Sequence, residues 1–307
     1  MVTMNARESA RWLGRGAVAA LALFVIQGIA HTAIPGRQVA PPPAGGLGWI
    51  LASNLLVALV LTYLAARLEL TGGRLWGALF LVQYGIQFNN LIEAAVFPLF
   101  IPARELARLF GTALAASLVF TLLLTWRARA GSWQPSVEHG SSAAEREPRF
   151  SRGATFARRW AVGAVAYVAV YFAAGMIAYP YVRELYAGRP MPGVLPLALL
   201  QLARGSLFMA ILLPVVRRVA VDRLPLALKA GATLSVVGGI APLLIPNPYF
   251  PDAVRWAHLV EVGLSNFLYG FLVARLLGPE ARPKQRSTPL AVNPRSPEKP
   301  KRAPILT

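Results

Sequence analysis

The chain of 307 residues contains no cysteine and few charged residues. The lack of cysteine excludes disulfides, thiol catalysis and metal sites with cysteine ligands. Charged residues make up 14% of the chain, well below the roughly 25% of soluble globular domains. Hydrophobic residues make up 56% and occur in long runs, a composition typical of a membrane protein with several spans.

Acidic residues are scarce as well. There are 13 Asp and Glu against 31 Lys and Arg, which gives a formal net charge of +18. A chain this basic can bind nucleic acid, or it can be a membrane protein whose basic residues crowd the cytoplasmic ends of its helices. The positions of the charges along the chain decide between these two interpretations.

No glycine-rich phosphate-binding loop, H-E-x-x-H zinc motif or G-x-S-x-G nucleophile motif occurs in the sequence. Each of these motifs marks a common type of enzyme site, so we assign no catalytic residue and expect no cofactor. Two His and two Glu inside predicted spans would permit a metal ion, but a metal site needs three or four ligands in one place. Hydrogen bonding is the favoured role of these histidines, and we expect no metal.

Eight apolar runs of about 20 residues predict eight transmembrane helices. The first run follows basic residues as a signal peptide does, but it is too long for a typical signal sequence, and we expect it to remain as a span. The sequence therefore predicts an all-α, polytopic membrane protein. The predicted spans cover residues 13–34, 47–66, 75–97, 105–126, 159–179, 194–216, 226–245 and 255–277.

The eight predicted spans form two groups of four on either side of a polar segment. An offset of 150 residues aligns Arg67 with Arg217 and Phe100 with Phe250. Because each half has an even number of spans, duplicated halves would share one orientation, as a parallel repeat. Regular spacing without duplication would give the same order. The predicted organisation is a first four-helix half at 1–127, a flexible cytoplasmic linker at 128–158, a second four-helix half at 159–278 and a disordered, basic cytoplasmic tail at 279–307.

The basic residues favour one orientation in the membrane. With the N-terminus in the cytoplasm, 24 of the 31 Lys and Arg fall in cytoplasmic segments, six in outer segments and one, Arg204, in a span. This bias predicts that both termini are cytoplasmic. It also explains the net charge without nucleic acid, and it makes anionic membrane lipid the expected partner of the basic segments. The composition hints at a bacterial source, and we expect the inner membrane.

Polar side chains recur at helical spacing on four of the predicted spans. In the last span, His258, Glu261, Ser265 and Tyr269 are three and four residues apart, with Asn266 beside them. Polar groups that face lipid go unpaired, so this side should face protein or a water-filled cavity. The same argument applies to His31 in the first span, to Gln83, Gln87, Asn90 and Glu93 in the third, and to Gln201 and Arg204 in the sixth.

Arg204 lies near the middle of its predicted span, where an unpaired arginine costs about 2.5 to 3.5 kcal/mol on insertion scales. It therefore needs an acidic partner, and Glu93 and Glu261 are the two carboxylates inside predicted spans. One hypothesis is a polar cavity, open to the outer face, in which Arg204 holds a small polar or anionic ligand. The other is an Arg–Glu pair that fixes helix packing.

Three functions fit these features, and a small-solute or ion transporter without catalytic activity is the favoured one. Alternatively, the carboxylates and a histidine would provide acid–base catalysis in a membrane-embedded enzyme that acts on a lipid or lipid-linked substrate. The third alternative is a non-catalytic assembly or sensor component. The candidate ligand-binding or ion-pair residues are Arg204, Glu261, Glu93, His258, Asn90, Asn266, Gln87, His31, Gln201, Ser265 and Tyr269.

Overall fold

The computed structural model describes residues 6–34, 45–129, 153–219 and 223–279. These residues form eight helices and no strand, which confirms the all-α class. Helix α7 contains a π-helical turn, so its bounds are given in three parts. The helices are α1 (Ala6–Ala33), α2 (Gly46–Arg67), α3 (Gly72–Val96), α4 (Ala103–Arg129), α5 (Gly153–Tyr186), α6 (Val194–Arg218), α7 (Arg223–Ser235, Val236–Ile240 and Ala241–Leu244) and α8 (Asp252–Leu277).

Each helix covers one predicted span, and most continue beyond it. The clearest case is α5, which runs for 34 residues although its apolar run predicted only 159–179. Hydropathy marks the part of a helix that lipid can solvate, and it does not register the polar turns that continue the same hydrogen-bond ladder. Both ends of the predicted linker are therefore helical. Residues 130–152 of that linker, and the predicted tail from 280 onwards, lie outside the described residues.

Seven of the eight helices in the described residues are long and apolar enough to cross a membrane. The remaining one, α3, has 25 residues but carries four side-chain amides and Glu93. The protein is therefore a membrane-embedded, multi-span helical protein. An eighth crossing by α3, the orientation and the identity of the membrane remain predictions.

The bundle has two distinct ends. At one end, which we call the basic end, α2 and α6 finish together, and the Glu69 backbone N–H donates to the Arg218 carbonyl at 3.0 Å. At the other end, which we call the loop end, the segments after α3 and α5 meet, and the Arg189 guanidinium lies 4.5 Å from the Phe100 ring centroid. In the predicted orientation, the basic end is cytoplasmic.

The helices contact one another in a closed order. α1 packs against α2 and α4, α3 against α4 and α6, α5 against α6 and α8, and α7 against α8 and α2. The two halves therefore use corresponding helix pairs internally. They also join through corresponding pairs, since α3 of the first half meets α6 and α7 of the second half meets α2.

The two halves contact each other at both ends of the bundle. Leu68 and Val219, which are one residue out of register with the 150-residue offset, form an isolated β-bridge at the basic end, and the rings of Phe100 and Phe250 lie 5.8 Å apart at the loop end. Residues close to a two-fold axis contact their own symmetry mates, and the 150-residue offset aligns Phe100 with Phe250. The parallel repeat remains a prediction, which these contacts support.

Glycines allow α7 and α8 to approach closely. A Cβ at Gly270 would lie 2.6 Å from the Ala230 carbonyl oxygen and 2.9 Å from the Gly231 Cα. One at Gly239, in the π-helical turn, would lie 3.0 Å from the Gly263 Cα. Small residues at such crossings let backbones pack directly in the absence of a hydrophobic driving force within the bilayer.

We expect Gly270→Val to lower the unfolding midpoint of the detergent-solubilised protein, because the added side chain meets the backbone of α7. Overpacking of this kind costs about 1 to 3 kcal/mol. Gly175→Val is the matched control, since a Cβ there meets nothing within 4 Å. Equal midpoints for the two variants, measured by thermal unfolding, would show that this crossing is not tightly packed.

Candidate functional site

Arg204, on α6, is buried and forms an ion pair with Glu93, on α3. Its Nη1 also donates to Gln201 Oε1 at 2.9 Å, and its Nε donates to the Asn89 carbonyl at 3.0 Å. Glu93 accepts further hydrogen bonds from the Tyr171 hydroxyl at 2.6 Å and from Gln201 Nε2 at 3.2 Å. We call these five residues the Arg204 network, and it links α3, α5 and α6.

A second layer surrounds the Arg204 network. The Asn89 side-chain amide donates to the Arg204 carbonyl at 3.1 Å, and the Tyr269 hydroxyl donates to the Gly205 carbonyl at 2.8 Å. The Tyr167 ring centroid lies 6.0 Å from the Arg204 Cζ and 4.7 Å from that of Tyr269. Residues of α3 and α8 therefore bond to two backbone carbonyls of α6, and a ring on α5 lies near the Arg204 guanidinium.

This geometry supports the structural hypothesis for Arg204. A buried charge is tolerated when hydrogen bonds satisfy it, and here a carboxylate, a side-chain amide and a backbone carbonyl do so. Of the two carboxylates that the sequence offered, Glu93 is the partner. The ligand-binding role of Arg204 remains a prediction, and protein acceptors already bind its Nη1 and Nε atoms.

The polar residues of the row on α8 have different partners. His258 Nδ1 lies 2.7 Å from Glu261 Oε2, and both side chains are 16% exposed. Ser265 donates to the Val262 carbonyl of its own helix at 3.3 Å. Tyr269 reaches α6, as described above, whereas Asn266 is buried and its Nδ2 has no hydrogen-bond partner among the described residues. The row therefore does not form one site.

A cavity of about 350 Å³ lies on another face of α3. Side chains from α1, α3, α4 and α7 and from the loop after α7 surround it. Its lining includes no Asp, Glu, Lys or Arg. The polar lining residues are Gln27, His31, Gln83, Gln87, Asn90, Thr112 and Asn247.

Several lining amides have hydrogen-bonding capacity to spare. Asn90 Nδ2 donates to the Gly238 carbonyl of the π-helical turn at 2.6 Å. Gln83 is buried, and its Oε1 has no partner among the described residues. No side-chain hydrogen bond joins Gln27 or Gln87 to another part of the chain that the structure describes. The Gln27 and Gln87 amides can therefore bind water or a polar solute, whereas the Gln83 oxygen is not accessible to solvent.

An ion pair borders the cavity at the loop end. Arg108 Nη1 lies 2.8 Å from Glu105 Oε1, and Arg108 Nη2 lies 3.4 Å from His31 Nδ1, on the cavity wall. Tyr249, in the loop after α7, faces the same group. Burial and the nearby Glu105 carboxylate raise the pKa of Tyr249. The loop that contributes Asn247 therefore sits beside the start of α4.

The structure separates the predicted site residues into three groups. Glu93, Gln201 and Arg204 belong to the Arg204 network, with Tyr269 beside it. His31, Gln87 and Asn90 line the cavity. His258 and Glu261 form the third group on α8, whereas Ser265 and Asn266 belong to none of these groups.

Sequence reasoning did not assign a site role to Tyr171, Thr112 or Asn247. Tyr171 lies four residues after Tyr167 on α5, so the two hydroxyls share one face of that helix, and this spacing is the signal that could have identified Tyr171. Thr112 bonds its own helix backbone, the usual behaviour of a buried threonine, at 3.0 Å from the Arg108 carbonyl. Asn247 stands in a proline-rich turn and accepts from the Tyr249 backbone N–H at 3.0 Å, as a turn residue does.

We expect Arg204→Ala to destabilise the protein, because it leaves the Glu93 carboxylate without its cation. Breaking a buried pair costs about 3 to 5 kcal/mol, and the lower end applies because Glu93 keeps 32% of its side chain exposed. The double variant Arg204→Met/Glu93→Gln should recover part of this loss, since no unpaired charge remains. Chemical denaturation in detergent measures both.

Arg183→Ala, an exposed arginine on α5, is the control for the loss of one positive charge. If Arg204→Ala unfolded at the same denaturant concentration as Arg183→Ala, the pair would contribute nothing to stability.

Within the described residues, no group of three or more His, Asp or Glu is arranged to hold a metal ion. Comparisons of the chain with models of protein families, with curated proteins and with solved structures found no match.

Proposed function

We propose that the protein is a transporter for small, neutral, hydrogen-bonding solutes and that its solute site is the cavity between α1, α3, α4 and α7. The observation that carries this proposal is the lining: seven of its thirteen residues are polar (amides, a threonine and a histidine), the other six are apolar, and none is a formally charged Asp, Glu, Lys or Arg. Amides in such a place replace the water that a polar solute gives up on leaving solution.

The volume of the cavity fits a small solute. Ligand pockets have volumes of about 300 to 1,000 Å³, and this cavity of about 350 Å³ is at the lower end. Ion pathways use rings of carboxylates or of backbone carbonyls, and the lining has neither. A neutral solute is therefore favoured over an ion.

The π-helical turn of α7 is the proposed moving part. π-bulges occur frequently at functional sites, and this one accepts a hydrogen bond from Asn90, on the cavity wall. Pro242 and Ile245, which follow the turn, also line the cavity. A solute that binds the Asn90 amide competes with the bond to Gly238 and so loosens α7 from α3.

In this proposal, the Arg204 network is the fixed frame of the transporter. It lies where α3 of the first half meets α6 of the second, on a different face of α3 from the cavity. The cavity is bordered by the loop end, which the charge bias predicts to be the outer face. A membrane-embedded enzyme would instead use His258 and Glu261, but neither lines the cavity.

Cysteine labelling tests whether the cavity holds water, since the natural chain provides a cysteine-free background. We expect Ala113→Cys, on the cavity wall, to react with a membrane-impermeant methanethiosulfonate added to the outer face of vesicles. Leu114→Cys, the exposed neighbour on the outer surface of the bundle, should react at least about tenfold more slowly, because lipid suppresses the reactive thiolate.

If Ala113→Cys were labelled only from the cytoplasmic face, the cavity would open to that face and not to the outer face. Equal rates at the two positions would show that no aqueous cavity exists there.

Solute uptake tests the transport proposal directly. We expect proteoliposomes to take up glycerol or urea faster than protein-free liposomes, as measured by stopped-flow light scattering. Gln87→Leu should reduce this uptake about tenfold, the equivalent of one lost hydrogen bond of about 1.4 kcal/mol. Phe88→Leu, on the exposed side of the same helix, should leave it unchanged.

Unchanged uptake in Gln87→Leu, with a normal unfolding midpoint, would remove the cavity from the pathway. Protein-dependent potassium flux without uptake of either neutral solute would favour an ion channel instead.

A further inference from the structure

A groove of about 390 Å³ lies at the basic end, between the start of α3 and the end of α6. Its floor is apolar and made largely of small side chains, among them Gly77, Ala78 and Pro214. A Cβ at Gly77 would meet nothing within 4 Å, so the floor is open rather than filled by a neighbouring helix. The groove follows the seam between the two halves.

Three arginines surround this groove. Arg74 and Arg218 are exposed, and Arg217 is half-buried with its Cζ 5.1 Å from the Phe156 ring centroid. No carboxylate lines the groove. Glu69 is next to the lining residue Leu70 in the chain, but it is exposed, and its backbone N–H donates to the Arg218 carbonyl. The rim therefore presents a concentrated positive charge above an apolar surface.

This combination matches the two parts of an anionic phospholipid. Guanidinium groups bind phosphate oxygens through charge-assisted, often bidentate hydrogen bonds. Acyl chains lie against apolar helix surfaces, and basic pockets between membrane helices are typical sites for anionic headgroups. A zwitterionic lipid brings a cation as well as a phosphate, and that cation would meet the same arginines.

We propose that this groove is a specific binding site for an anionic phospholipid. The phosphate binds Arg74 and Arg218, and an acyl chain lies over Gly77 and Pro214. Because α3 belongs to the first half and α6 to the second, a bound lipid bridges the halves across their seam. This site is separate from the solute cavity, and it does not depend on what the protein transports.

The test is lipid binding to the purified full-length protein, measured by native mass spectrometry and by the unfolding midpoint in detergent. We expect phosphatidylglycerol to bind and to raise the midpoint, and phosphatidylcholine to bind at least about tenfold more weakly. R74Q/R218Q should weaken phosphatidylglycerol binding by at least about tenfold, because both phosphate ligands are removed.

Two further variants keep this test decisive. R11Q/R158Q removes the same charge from exposed arginines at the basic end but outside the groove, and it should change binding by less than about threefold. Gly77→Leu keeps every arginine and fills the floor, so it should also weaken phosphatidylglycerol binding about tenfold. An equal loss in R11Q/R158Q would overturn the proposal in favour of general surface charge.

Inorganic phosphate and glycerophosphate separate the headgroup from the lipid. We expect neither to compete with phosphatidylglycerol at millimolar concentration, because they lack the acyl chain that covers the floor. Full competition, or normal lipid binding in Gly77→Leu, would show that the groove is an anion site and not a lipid site.

Discussion

The pairing of Arg204 with Glu93 is the interaction on which the arrangement of the helices depends. Neither charge is tolerable alone among apolar helices, so α3 and α6 must meet at the level where the two side chains reach each other. A slip of one helical turn, about 5.4 Å, would take Glu93 out of hydrogen-bond range. Tyr171 and Gln201 also donate to the carboxylate, and the Asn89 carbonyl accepts from the Nε of the guanidinium. One buried pair therefore fixes the register of α3 and α6, and Tyr171 ties α5 to the same carboxylate.

A further consequence concerns α3, the one of the eight helices in the described chain that lacks a continuous stretch apolar enough to mark it as a span. One of its faces carries Asn89 and Glu93 toward α6, and another carries Gln83, Gln87 and Asn90 toward the cavity. A helix with two polar faces is poorly solvated by lipid, which explains why α3 falls outside the group of helices that composition marks as spans. Its neighbours must cover it. The polarity that lowers its hydropathy thus places α3 at the junction of the two halves.

The two halves match in the order of their helix contacts. The two halves pack through corresponding helix pairs, and Phe100 contacts Phe250 at the loop end. The polar side chains do not follow this matching order. The Arg204 network fills the space between α3 and α6, whereas the cavity lies between α1, α3, α4 and α7. If the halves arose by duplication, the junction of α3 with α6 became a polar contact, and the cavity remained on a different face of α3.

The sequence by itself determined the helical class, the number of helices and their approximate bounds, because each depends only on the length of apolar runs and on proline and glycine between them. It also determined that Arg204 needs a carboxylate, since desolvation follows from residue type and depth. It did not determine which carboxylate, because Glu93 and Glu261 sit at similar depth on two helices that both contact α6, and only the packing shows that Glu93 reaches Arg204. Nor could it separate the role of Asn89 from that of Asn90. Two adjacent residues on a helix point about 100° apart. Only the packing of α6 and α7 decides that Asn89 bonds to Arg204 while Asn90 lines the cavity. The tertiary structure made these choices because hydrogen-bond partners in a membrane protein come from neighbouring helices, whose identity no local pattern records.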